Sequence, residues 1–104
     1  MNKNLPTRTV TVRNPQGLHA RPADLLVRMA SAYQSDILIG RDGELVDCKS
    51  ILSLLTLGAA QGTVLSVSAD GGDAEDALNA IEELFEAGFD DTTEVPGTES
   101  ALDG

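Results

Sequence analysis

The amino-acid sequence predicts an α+β open-faced β-sandwich: a four-stranded, mainly antiparallel sheet with three helices on one face. Three observations carry this. Short segments with period-two alternation are interleaved with period-3.6 apolar stripes in the order β-α-β-β-α-β-α. Each helical stripe is apolar on one side only, so the helices need a sheet to cover and the sheet needs one layer of helices. The 104 residues suffice for one domain with a modest core and not for two.

Residues 7–13, TRTVTVR, alternate around Val10 and Val12 and read as a strand with one buried face, broken by the turn-forming NPQG. From about Ala20 to Tyr33 a helical stripe is formed by Leu25, Leu26, Met29, Ala30 and Tyr33, with Pro22 in the first turn, where a missing N–H costs nothing. Two short strands, Asp36 to Ile39 and Glu44 to Asp47, are joined through Asp42-Gly43, favourable chemistry for a hairpin turn. A short helix follows, with Ser50 able to cap it and Gly58 to stop it. Thr63 to Ala69 is the last strand, bounded by Gly62 and Asp70-Gly71-Gly72. Asp73 to Ala87 is an amphipathic helix with Ala74, Ala77, Leu78, Ile81, Leu84 and Phe85 on one face, acids on the other and Gly88 at its end. Residues 1–6 are an N-terminal extension, 7–89 the folded domain, and 90–104, with five carboxylates and no base, an acidic tail expected to be disordered.

Composition narrows the function. Seven basic residues against 17 acidic give a formal net charge of −10, which repels a phosphate backbone or an anionic membrane, so nucleic acid is not an expected partner. The charge is uneven: residues 1–49 hold seven bases and five acids, +2, whereas residues 50–104 hold twelve acids and no base, −12. A mildly basic site on the N-terminal half is therefore compatible with the acidic total. Cys48 is the single cysteine, which excludes an internal disulfide and a cysteine-rich zinc site. The opening MNKNLPTRTV lacks the apolar core of a signal peptide, and no apolar run approaches the roughly 20 residues that cross a bilayer. A cytoplasmic protein with no membrane insertion is expected.

The sharpest local signal is Gln16-Gly17-Leu18-His19-Ala20-Arg21-Pro22, where strand gives way to helix. It puts the sole histidine at a helix N-terminus, where backbone N–H groups and the positive end of the helix dipole suit an anion such as phosphate. Arg21 adds a guanidinium fork, and Gly17 permits close approach of the loop. Imidazole titrates near neutral pH, so a neutral ring nitrogen is available to attack a phosphoryl group, whose negative oxygens would face the helix start and Arg21. The bland alternative is a cap or surface histidine. A metal site is not expected, since a second histidine is lacking and Cys48 is remote in sequence.

Ser50, in Asp47-Cys48-Lys49-Ser50-Ile51-Leu52, is either a plain N-cap worth about 1 kcal/mol or a hydroxyl that also takes a phosphate beside a lysine. Ile51, Leu52, Leu54 and Leu55 cannot all point the same way on so short a helix. Either all four fill the core or part of the set is an exposed docking patch.

At His19-Ala20-Arg21-Pro22, Lys49-Ser50-Ile51 and Leu57-Gly58-Ala59-Ala60-Gln61-Gly62 the sequence resembles the HPr phosphocarrier family of the phosphoenolpyruvate-dependent sugar phosphotransferase system (PTS), over roughly residues 7–89. The resemblance implies that His19 takes a phosphoryl group from Enzyme I on its δ nitrogen and passes it to a IIA component. It further implies that Arg21 assists transfer, that the amides of Ala20 and Arg21 bind the phosphate, that Ser50 is the target of an ATP-dependent HPr kinase/phosphorylase, whose modification weakens transfer to His19 and can recruit transcriptional regulators, and that Ile51, Leu52 and Leu55 dock partners. The implied protein is a monomeric carrier without cofactor or independent turnover. Two features depart from the family pattern: Asp24, an acid one turn beyond Ala20, and the tail after Asp91. The ending Glu83 to Asp90 is similar to the nitrogen-branch paralogue, so the branch stays open between sugar uptake and regulation. Two readings from other classes are an adaptor whose affinity for a transcription factor or enzyme follows phosphorylation, and a small-ligand or catalytic domain. The adaptor alone would not need His19 beside Arg21, and the catalytic domain lacks a second acid/base group placed by sequence.

Overall fold

The computed structural model describes residues 5–89. The expected tail, 90–104, and the first four residues of the expected extension lie outside the described residues. The elements are β1 (Thr7–Thr11), α1 (Ala20–Ser31), β2 (Asp36–Arg41), β3 (Glu44–Asp47), α2 (Ile51–Leu57), β4 (Val64–Asp70) and α3 (Ala74–Glu86). Their order is the expected one, and the four strands form one sheet, β1-β4-β2-β3, with every neighbouring pair antiparallel.

Alternation decides the layers. On the helix side of the sheet Val10, Ile37, Ile39, Leu65, Val67 and Ala69 are buried, and they meet Leu26, Met29 and Ala30 of α1, Leu54 of α2, and Leu78, Ile81, Leu84 and Phe85 of α3 in one core. With so few aromatics the core is aliphatic, and its single ring pair, Phe85 against Phe89 at 4.9 Å and 70°, pins the chain just after α3. The opposite face carries Thr7, Thr9, Thr11 and Ser66, all exposed.

Element ends differ from the periodicity by one or two residues, for identifiable reasons. β1 stops at Thr11 instead of reaching Arg13: Val12 still exchanges backbone bonds with Thr63 (2.9 Å) and Gly62 (2.8 Å), but the Arg13 carbonyl accepts from the Gln61 side chain (3.0 Å) and leaves the ladder. α1 ends at Ser31 because Ala32 and Tyr33 donate three residues back, to Met29 and Ala30, tightening the last turn. β2 runs on to Arg41, since Asp42 (φ 54°) and Gly43 (φ 81°) form a two-residue turn with both central residues left-handed, which keeps Arg41 paired with Glu44.

Cys48 is fully buried, and desolvation pushes its thiol up to about 12, so it is an inert core residue in the native state.

An aspartate in front of a helix ordinarily accepts from that helix's first amides. Asp73, the residue before α3, makes no such bond. Its carboxylate instead accepts from Gln34 N–H (2.8 Å), Ser35 N–H (3.0 Å) and the Ser35 hydroxyl, tying the α1–β2 turn to the start of α3. The Ser35 hydroxyl first, and the Gln34 amide next, hold this carboxyl below its usual range. A depressed carboxyl contributes stability that is complete above its unfolded value, near 3.8, and is lost as pH falls through the lower folded value. Asp73→Ala is therefore expected to lower Tm by several degrees at pH 7, the gap from wild type closing below pH 4; a gap constant from pH 7 to pH 2 in thermal melts would remove the carboxylate from this role.

Candidate phosphate-acceptor site

His19 is the N-cap of α1, with extended backbone (φ −87°, ψ −167°), and its side chain is exposed and makes no capping hydrogen bond. The cap therefore works through the backbone alone: the His19 carbonyl accepts from Ala23 N–H at 2.9 Å, the first i to i−4 bond of the helix. The amides of Ala20 and Arg21 lie ahead of that bond, at the positive end of the helix dipole, and Pro22 fills the next position without sacrificing a donor. Arg21, on the first turn, is exposed. The imidazole is thus left to solvent at a place where an anion is electrostatically favoured.

The loop that delivers His19 is held from below. Gly17 N–H donates to the Asn14 carbonyl (3.0 Å), Asn14 Nδ2 donates to the Gly17 carbonyl, and His19 N–H donates to the same Gly17 carbonyl (2.9 Å). Leu18, buried, donates its N–H to the Ala59 carbonyl at 2.8 Å. Gly17 is left-handed (φ 75°), and a Cβ there would sit 2.6 Å from the Ala59 oxygen. The segment 57–62 explains itself on this basis. Gly58 closes α2 in the left-handed conformation, Ala59 presents its carbonyl to Leu18, and Gln61 with Gly62 grips the end of β1. Sequence reasoning read Gly58 and Gly62 as boundaries and missed the support that Asn14, Ala59 and Gln61 give; the one local hint was an Asn beginning a turn.

Asp24, an acid near this site, is turned along α1: its Oδ2 accepts from Arg28 Nε at 2.9 Å, one turn further on.

Ser50 is the N-cap of α2 and its hydroxyl accepts from Ser53 N–H at 3.2 Å. Asp47 shapes the turn before it, its carbonyl accepting from Ser50 N–H (3.1 Å) and its carboxylate from Lys49 N–H (2.9 Å). Lys49, expected as a cation beside Ser50, sends its ammonium to the Tyr33 carbonyl (2.8 Å), where it closes the end of α1. On α2 the four apolar residues part company. Leu54 is fully buried and Ile51 half-buried, whereas Leu52 is 73% and Leu55 39% exposed. Leu52 and Leu55 are the exposed part of the set, the outcome that short-helix geometry left open.

Among the described residues no group of histidine, cysteine and carboxylate side chains could hold a metal ion, and no helix is long and apolar enough to cross a membrane.

Residues 6–87 match the family model described as the PTS HPr component phosphorylation site. A phosphocarrier protein HPr of Xylella fastidiosa is 43% identical, covering 81% of this chain and 94% of the relative. One from Treponema pallidum is 42% identical, over 81% of this chain and 96% of its own length. Among solved structures, HPr-C-His from Thermoanaerobacter tengcongensis superposes with a TM-score of 0.79 at 41% identity, covering 82% of this chain and 96% of that one. HPr from Bacillus anthracis gives 0.75 at 35% identity, over 80% and 99%.

Proposed function

The chain belongs to the HPr family of PTS phosphocarrier proteins, and from that premise we propose that His19 accepts a phosphoryl group from phosphorylated Enzyme I and hands it to a IIA protein or domain. The observation that carries this reading is that the His19 ring, at the start of α1, is exposed and takes no part in capping. A lone pair on the δ nitrogen attacks phosphorus; a new N–P bond forms as the donor's N–P bond breaks, and that electron pair returns to the donor ring. The other ring nitrogen keeps its proton, and nothing is oxidised or reduced. The phosphoryl oxygens would then face the amides of Ala20 and Arg21, already oriented by the helix start, and the Arg21 guanidinium would add its charge to them. An exposed ring is open to the active site of another protein from either side of the exchange, which suits a carrier without turnover of its own. Residues 7–89 would be the carrier domain, acting as a monomer.

Ser50 is the regulatory position in this proposal. A phosphate from an HPr kinase/phosphorylase would add up to two negative charges beside the exposed Leu52 and Leu55, weakening apolar docking of PTS partners and offering a different surface to a transcriptional regulator. Ile51 forms the half-buried base of that patch. Service to a sugar or a nitrogen branch then depends on the partner proteins.

The test is incubation with Enzyme I and phosphoenolpyruvate, followed by mass analysis at acid and alkaline pH. One added phosphoryl group, labile in acid, stable in alkali and transferable to a IIA protein, is the expected result. An unmodified chain under conditions that charge an HPr control overturns the proposal. Arg21→Glu is expected to slow transfer by on the order of tenfold or more without unfolding the domain, because a cationic donor is replaced by a repelling charge.

A further inference from the structure

The peptide unit that joins Gly17 to Leu18 is held at both ends. Its N–H, on Leu18, donates to the Ala59 carbonyl at 2.8 Å. Its carbonyl, on Gly17, accepts from His19 N–H at 2.9 Å and from Asn14 Nδ2, one donor for each lone pair. The bond from His19 closes a three-residue turn over Leu18. The bond from Asn14 is the only one of the set made by a side chain. Asn14 also opens the four-residue turn 14–17, whose backbone bond runs from Gly17 N–H to the Asn14 carbonyl at 3.0 Å, so this residue grips Gly17 twice.

The orientation of that peptide decides where His19 stands. A planar peptide turns over by rotation about the two single bonds that flank it, here those of Gly17 and Leu18. Glycine resists such rotation less than any other residue, so the freedom that lets Gly17 adopt φ 75° beneath Ala59 also leaves the following peptide easy to turn. Turned over, it would aim the Gly17 carbonyl at the Ala59 oxygen and release His19 N–H, one residue before α1 begins at Ala20.

The Asn14 amide fits in one sense only. With its oxygen toward Gly17 two acceptors would meet, so Nδ2 faces the Gly17 carbonyl, and Oδ1 is turned to a buried place where none of the described residues donates to it. A buried acceptor without a donor lowers stability. What Asn14 supplies in return is the direction of one N–H. We propose that Asn14 is a positioning residue for phosphoryl transfer: by fixing the Gly17 carbonyl it keeps the Gly17–Leu18 peptide in the orientation that sets the His19 ring at the head of α1. It acts through the backbone and not on the phosphoryl group. This role rests on His19 being the acceptor, as proposed above.

The test uses the full chain with Asn14→Ala and Asn14→Asp. Alanine removes the N–H together with the unpaired oxygen; the ionised aspartate keeps the size but only accepts, so that oxygen meets oxygen at Gly17. Single-turnover transfer from phosphorylated Enzyme I is followed over a range of carrier concentrations. At saturation it is expected to be about tenfold slower for Asn14→Ala, and slower still for Asn14→Asp, because the reacting ring loses its orientation. The half-saturating concentration should stay within about twofold of wild type, since the exposed Leu52 and Leu55 are untouched. Amide exchange at Leu18 should quicken by about tenfold, with Leu26, Met29 and Ala30 of α1 unchanged. A contribution to global stability alone would quicken exchange throughout the core and leave saturated transfer by the folded chain at the wild-type rate; that result overturns the proposal. So does a loss confined to the half-saturating concentration. A wild type that Enzyme I does not charge overturns the acceptor reading and this role with it, whereas a charged wild type beside equally fast variants overturns this role alone.

Discussion

His19→Ala is expected to abolish phosphoryl acceptance completely while leaving the fold intact. The two halves of this expectation have separate causes. Acceptance is lost because His19 is the only histidine in the chain, so no other imidazole can form the acid-labile N–P bond. Stability survives because the side chain supplies no capping hydrogen bond; what begins α1 is the His19 carbonyl receiving Ala23 N–H, and alanine keeps that carbonyl. An exposed side chain without such a bond is worth within about 0.5 kcal/mol. The check is a pair of measurements on the same sample: phosphorylation by Enzyme I and phosphoenolpyruvate read by mass, and a thermal melt. Acid-labile phosphate on the variant would move the acceptor elsewhere. A collapsed melting curve would mean that the imidazole has a structural role its exposure does not indicate.

Gly17→Ala is expected to have the next largest effect, on a residue that never meets the phosphate. Its φ of 75° is unfavourable for alanine by about 1–2 kcal/mol, and the new Cβ would lie 2.6 Å from the Ala59 oxygen. Relief requires the 14–18 loop and the 59–60 segment to separate, which removes or lengthens the 2.8 Å bond from Leu18 to Ala59, worth about another 1 kcal/mol. Destabilisation of about 2–3 kcal/mol should follow, together with transfer slowed by on the order of 10 to 100-fold, because displacement of the reacting ring by about 1 Å forfeits its orientation. Gly43→Ala separates the two effects. It has the same left-handed backbone (φ 81°) but open space around the new Cβ, at a hairpin tip. It should cost stability and leave transfer unchanged. Urea titrations and single-turnover transfer assays on both variants decide the matter; equal transfer rates in the two would show that the support beneath His19 does not matter.

Much of the fold was legible because its signals are local. Val10 and Val12 with their polar neighbours, the Asp42-Gly43 turn, Pro22 in a first turn and Gly58 after a last one each state a backbone preference within a few residues. The place of His19 was legible for the same reason: a helix start is a local event. The α2 segment was only half legible. Periodicity said that Ile51, Leu52, Leu54 and Leu55 could not share one face, but which of them meets the core depends on how α2 sits against α1 and the sheet.

Sequence by itself determined the element order, the polarity of each helix and the place of the imidazole at the head of α1, since these depend on neighbours three or four residues away. Tertiary structure alone decided the partners: that Asp73 reaches back 39 residues to Gln34 instead of capping α3, that Lys49 closes α1 instead of facing Ser50, and that Ala59 lies under Gly17. Each of these pairings joins groups far apart in the chain. A short polar side chain has several nearby acceptors or donors of similar strength, and only the packing of the layers around it selects one.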